Sequence, residues 1–208
     1  MTPFEIYDKV LAFATTPTTI ICNLHSACSP QKGKKYLCIQ AGSETPVIDF
    51  DEIKVQADAA RGLGSMSRKS VDALAVTPSS NFLCFIELKS WELLIKHHGT
   101  EENIRAQANK YSSDLPIKLS DSIQICKEIT HDSNVFSGCN MLYILVSDIS
   151  VADDGIMAFN SDLTALAGTS SNLKELCNKL TQGIMNNITS VETRYWECRN
   201  FDRELFSL

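Results

Sequence analysis

The chain has 208 residues, 44% of them hydrophobic and 21% charged, which is the composition of an ordinary soluble globule long enough to bury a sizeable core in one domain, 1–208. No apolar run approaches the roughly 18 residues of a membrane span. The net charge of −6 speaks against a passive nucleic-acid binder, which usually shows a basic balance. Glu5 and Asp8 near the start, the lack of a basic region and Pro17 within the apolar stretch argue against a secretory signal, so a cytoplasmic location is expected.

In chain order, residues 3–14 predict a first helix, with Phe4, Tyr7, Val10 and Leu11 at helical spacing. Residues 18–24 and 35–41 read as strands. Residues 47–63 suit a helix through Phe50, Ile53, Ala57 and Ala60, with Asp49 or Asp51 near its start. Two short apolar runs, 71–76 and 82–88, flank a Thr-Pro-Ser-Ser-Asn turn and predict a β-hairpin. A helix over 91–98 closes at Gly99. Residues 101–112 and 120–130 predict two further helices separated by Pro116. Residues 140–147 form a strongly apolar strand, 149–170 are loop-rich, and 172–185 are amphipathic through Leu173, Leu176, Cys177, Leu180 and Ile184. Residues 191–201 read as a last, half-buried strand. The order predicts an α/β fold of three layers around a mixed central sheet.

The hairpin holds the chemistry. Its second run is apolar on both faces, as in a strand covered on both sides, yet Asp72 lies in the first run and Glu87 and Lys89 end the second. An ionised carboxylate there loses several kcal/mol of solvation unless a charge meets it. Glu87 and Lys89 are two apart and share a face. If residues 78–81 form the connection, Asp72 lies opposite Glu87 with Cβ atoms about 5 Å apart. A five-residue turn, 77–81, would put Ile86 across from Asp72 instead. Two facing carboxylates repel unless a cation lies between them. A divalent metal with oxygen ligands and an ion pair with Lys89 satisfy that condition equally.

Asp72 with Glu87-Leu88-Lys89 resembles the signature of the PD-(D/E)xK (restriction-endonuclease-like) nuclease superfamily, an Asp early in one strand and Glu-x-Lys at the end of the next. Val71 departs from it, standing where the name-giving Pro would be. Gln107-Ala-Asn-Lys-Tyr111 resembles the Gln-x-x-x-Tyr element on the helix after the catalytic strand in the RecB-like branch. Residues four apart lie on one helical face. The resemblance covers residues 70–112. It implies a restriction-endonuclease-like fold and a Mg²⁺- or Mn²⁺-dependent nuclease in which Asp72 and Glu87 hold metal, Lys89 is catalytic, and Gln107 and Tyr111 face the site. It implies DNA rather than RNA as substrate, a role in restriction or defence, and a third acidic ligand from an upstream helix, for which Glu5 and Glu52 are the candidates. A catalytically inactive binding or scaffold protein that keeps the fold is the alternative. The sequence leaves open a homodimer or a partner protein.

Charge distribution adds a candidate contact. Residues 59–71 contain no acid, and Arg61, Arg68 and Lys69 make the segment +3 just before Asp72. Arg68 and Lys69 are therefore expected to hold a phosphate backbone, the bland reading being a solvated loop. Residues 9–43 carry four lysines and no acid. Within them Cys22, His25, Cys28 and Cys38 are four soft ligands that could hold zinc, although the paired Cys-x-x-Cys knuckles are missing. The other cysteines read as small buried hydrophobes. Gly62-Leu63-Gly64-Ser65 lacks the Gly-Lys-Ser/Thr of a phosphate loop, and no histidine stands near a cysteine in a protease signature.

Overall fold

Local chemistry sets each element of the computed structural model, which describes residues 1–15, 21–24, 45–64, 67–79, 81–149 and 169–208. The Thr2 hydroxyl accepts from the Glu5 amide at 3.2 Å, and the Glu5 carboxylate accepts from the Thr2 amide at 2.7 Å. This reciprocal cap, with Pro3 in the first turn, starts α1 (Pro3–Phe13). Its buried residues are Pro3, Ile6 and Val10, while Phe4 stays exposed. After β1 (Ile21–Asn23) and β2 (Pro46–Asp49), the Asp49 side chain caps α2 (Phe50–Ala60) by accepting from the Glu52 amide.

The predicted hairpin forms β3 (Ala73–Val76) and β4 (Leu83–Lys89). The buried Thr77 hydroxyl accepts from the amides of Asn81 and Phe82, both at 3.2 Å, and the Thr77 amide donates to the Phe82 carbonyl. This closes the connection at residues 78–81 and pairs Ala73 with Ile86 and Val76 with Leu83. Beyond that ladder the Asp72 amide donates to the Ile86 carbonyl at 3.0 Å, which sets Asp72 beside the end of β4. Ser90 and Asp148 cap α3 (Trp91–His98), which ends at Gly99, where a Cβ would run into the Ile95 carbonyl.

Pro116 does not divide the following segment, correcting the expectation of two helices. α4 (Glu101–Thr130) is continuous through it. An internal proline forfeits one backbone bond and costs about 3 kcal/mol. Here Pro116 and Ser112 both lie on the exposed side, where water can reach the freed carbonyl, while Leu115 and Leu119 are buried and anchor the helix on either side. β5 (Met141–Ser147), α5 (Thr169–Asn186) and β6 (Glu192–Glu197) follow. The last predicted strand is shorter than expected: a 3₁₀ turn at Cys198–Asn200 and α6 (Phe201–Phe206) replace its end.

Among the described residues six strands lie in the order β1-β2-β3-β4-β5-β6, antiparallel from β1 to β4 and parallel from β4 to β6. Parallel pairing demands long crossovers, which α3 and α4 supply between β4 and β5. Alternate strand residues sort into two cores. Leu74, Phe85, Tyr143 and Leu145 pack with α1, α2, α3, α4 and α5 on one face, and Ala73, Ile86, Ile144 and Val146 pack with Trp196 and α6 on the other. The architecture is α/β, a mixed sheet with helices on both faces. Among the described residues, no helix is long and apolar enough to cross a membrane.

Candidate functional site

Asp72 and Glu87 share the face of the sheet that α4 crosses. The α4 stripe of Tyr111, Leu115, Lys118 and Ser122 follows the helical repeat and lies over the ends of β3 and β4. The Ser122 hydroxyl accepts from the Val71 amide at 3.0 Å, and one Asp72 oxygen (Oδ2) accepts from the Leu88 amide at 2.7 Å. These contacts fix the first carboxylate against the second strand.

The cation between the carboxylates is a lysine that the motif did not contain. Lys118 Nζ lies 2.7 Å from Glu87 Oε1 and 3.4 Å from Asp72 Oδ1. Lys89 Nζ also pairs with Glu87 Oε1, and it donates to the Leu88 carbonyl at 3.1 Å. Glu87 is wholly buried, whereas the side chains of Lys89, Asp72 and Lys118 keep 16%, 18% and 21% of their surface exposed. The cluster is thus a closed floor under a partly open rim. The second oxygen of Glu87, Oε2, is buried and has no hydrogen-bond partner among the described residues, and neither has the Tyr143 hydroxyl.

Burial raises the Glu87 pKa, and Asp72 adds to the rise against the pull of Lys89 and Lys118. Burial also opposes charge on the lysines, but the carboxylates overcome it. Glu87 and then Asp72 hold Lys89 above its ordinary range, and Asp72 and then Glu87 do the same for Lys118. Both remain ammonium ions at neutral pH.

Tyr111 lies beneath Lys89, whose Nζ is 5.2 Å from the ring centroid, and Gln107 hydrogen-bonds the tyrosine. Trp91 meets the same ring edge-on at a centroid distance of 5.4 Å. Five residues expected at the site, Asp72, Glu87, Lys89, Gln107 and Tyr111, are therefore brought together.

The upstream acid is another matter. Glu5 is spent on the α1 cap and Glu52 on Gln56. The structure instead brings Asp51, in the first turn of α2, into the field of Asp72 and Lys118. Its carboxylate takes the Ser70 hydroxyl, and burial raises its pKa. Asp51 was visible in the sequence only as a helix-start residue. Lys118 stands seven after Tyr111 on the same stripe, a relation hidden once Pro116 is taken to end the helix.

Arg68 and Lys69 are both paired. Arg68 binds Asp58 at 2.5 Å and Glu128 at 2.7 Å and is 12% exposed. Lys69 Nζ meets Asp114 at 2.6 Å and its amide donates to Asp121. Of the zinc set, His25, Cys28 and Cys38 lie outside the described residues, as does the side chain of Cys22. Among the described residues, no three His, Cys, Asp or Glu side chains converge as a metal-holding group.

Comparison with known proteins returns no match to a family model, a curated protein or a solved structure.

Proposed function

We propose that the chain is a metal-dependent phosphodiesterase, a nuclease acting on DNA, with a restriction-endonuclease-like fold. The observation that carries this reading is the convergence of Asp72 and Glu87 on one shared cation, with Lys89 beside them. The donor chemistry fits Mg²⁺ or Mn²⁺, which prefer oxygen ligands. Asp72 Oδ1 and both Glu87 oxygens would hold the ion, and the unpartnered buried Oε2 supplies a donor that the protein itself leaves unused. Once bound, the ion would polarise the scissile phosphate and lower the pKa of a water.

The chain's own groups do the rest. Lys89, kept charged by its carboxylate neighbours and held by the Leu88 carbonyl and the Tyr111 ring, is pre-positioned to orient a water and offset developing charge. Gln107 and Trp91 fix Tyr111, and Tyr111 fixes Lys89. A defence or restriction role rests on resemblance alone.

A second reading, a non-catalytic scaffold on the same fold, draws on two specific observations. The carboxylates are already neutralised by two lysines, and a cavity of about 530 Å³ beside Phe13, Ala57, Arg61 and Gln124 shares no residue with them.

Incubation of the protein with supercoiled plasmid and with single-stranded RNA, with Mg²⁺ or Mn²⁺ and with EDTA, separates the readings. Cleavage that needs metal and falls at least a hundredfold in Glu87→Ala is expected. No cleavage of either substrate with either metal leaves the scaffold.

A further inference from the structure

Two lysines serve one carboxylate pair, and their surroundings differ. Lys89 is fastened by Glu87, by the Leu88 carbonyl and by the face of Tyr111, all within its own strand and the helix above. Lys118 reaches in from α4, and among the described residues its hydrogen bonds go to the two carboxylates. It also has somewhere to go. Asp114 and Asp121 stand at the i−4 and i+3 positions of the same helix, the range in which helical side chains meet; Lys69 takes one oxygen of each, the other oxygen is left for a second donor, and Lys118 already lies within the field of Asp114. A lysine on a four-carbon stem can cross that gap by changing rotamers.

Charge points the same way. Asp72 acts on Glu87, on Asp51 and on Asp49, so two ammonium groups leave this acid-rich site net negative. Moving Lys118 out would leave the carboxylate pair short of one positive charge, which a divalent cation would supply. The buried, unpartnered Glu87 Oε2 marks an oxygen that an ammonium ion has not satisfied but that a metal could take.

We infer that Lys118 is a resident counter-ion occupying the metal position between Asp72 and Glu87, displaced toward Asp114 and Asp121 when a divalent cation binds. This rests on the metal-dependent reading above and deepens it, because it makes metal loading a competition. The apparent metal affinity is reduced by the fraction of molecules in which Lys118 is seated. Lys118 is a positioning residue in this account. It protects the carboxylate pair in the metal-free protein and yields it on loading.

The test measures metal binding and needs no cleavage. Mn²⁺ binding is followed by electron paramagnetic resonance, and melting temperature by circular dichroism with and without Mn²⁺, for the natural protein, Lys118→Met and Lys118→Arg. Lys118→Met is expected to melt lower without metal, to bind Mn²⁺ at least tenfold more tightly, and to regain its melting temperature on loading. Lys118→Arg, which keeps a cation in place, is expected to bind no more tightly than the natural protein. Unchanged or weaker binding by Lys118→Met, with the natural protein binding normally, overturns the counter-ion role and leaves the nuclease reading standing. Binding by Lys118→Met alone would mean that Lys118 holds the carboxylates and never yields them, which overturns the displacement and removes the nuclease reading. Binding by neither overturns both.

Should Lys118→Met fail to fold, the natural protein carries the test through brief lysine acetylation and peptide mapping. Faster labelling of Lys118 with Mn²⁺, and unchanged labelling of Lys89, is the expected result. No change at Lys118 overturns the proposal.

Discussion

Glu87 Oε1 receives two ammonium groups while Oε2 receives none, and this imbalance governs what a substitution at Lys89 does. Removing one partner of a singly paired buried charge costs about 3–5 kcal/mol because the other charge is stranded. Glu87 is doubly paired, so Lys89→Met leaves Lys118 in place. The loss should then resemble a missing hydrogen-bond partner, about 1–3 kcal/mol. If Lys89 is catalytic, the same variant should lose cleavage by orders of magnitude and keep Mn²⁺ binding, since both carboxylates remain. Cleavage rates, Mn²⁺ titration and denaturant melts of this one variant decide the matter. A variant that is less stable yet still cuts would reduce Lys89 to an ion-pair partner. The same residues show why the site was legible in part. Asp72, Glu87 and Lys89 follow from period-two alternation and turn length, both local. The choice between a metal and an ion pair was not local, because the deciding lysine lies 31 residues from Glu87.

At the scale of elements, the segment between α2 and β3 is held by an ion-pair network that its composition did not reveal. A run without acids reads as a free basic loop, but its acids come from elsewhere: Asp58 in α2, and Asp114, Asp121 and Glu128 along α4. Lys54 adds a further contact to Asp58 at 3.1 Å. Arg68→Ala should therefore act first on folding. It leaves Asp58, which is almost fully buried, with Lys54 as its remaining cation, so a cost of about 1–3 kcal/mol is expected from denaturant melts. Lys69→Ala, whose side chain is largely solvated, should cost under about 1 kcal/mol. Equal and small losses from both would show that the network adds little and would return Arg68 to the role of a solvated phosphate contact. The hairpin register was readable because the Thr77 hydroxyl closes the turn within five residues. The continuity of α4 was not, because packing by Leu115 and Leu119 overrides the local signal of Pro116. The expected last strand ran on to Phe201 and no helix was expected beyond it, because the apolar residues of α6, Phe201 and Leu205, are four apart in too short a segment to show a period.

For the whole molecule, the balance of perturbed carboxylates sets the pH at which the fold is most stable. Burial raises the pKa of Asp49, Asp51, Glu87 and Asp148, in each case as the largest cause. Glu128 is lowered despite burial, by Arg68 first, and Asp114 is lowered first by Lys69 on an exposed face. Where the folded pKa exceeds the unfolded one, the native state binds more protons in the window between them, so stability rises as pH falls through that window and levels off below the unfolded value. The four raised groups have ordinary values of 3.8 or 4.5, so the window opens upward from there. The net charge of −6 shrinks over the same range, which relieves self-repulsion and acts in the same direction. Glu128 and Asp114 act oppositely, but their stabilising contribution is lost only as pH falls through their lowered folded values, below the ordinary carboxylate range. The melting temperature should therefore rise as pH is lowered from neutrality toward the ordinary carboxylate range, with each kcal/mol appearing as about 2–4 °C in a chain of this length. Glu87→Gln, which cannot titrate, should flatten part of that slope. Calorimetric scans at constant ionic strength and low protein concentration measure both. A melting temperature that climbs steadily from pH 5.5 to 8, or a Glu87→Gln profile parallel to that of the natural protein, would mean that the lysines hold Glu87 ionised throughout, and that burial of this carboxylate costs the fold nothing that protons can relieve.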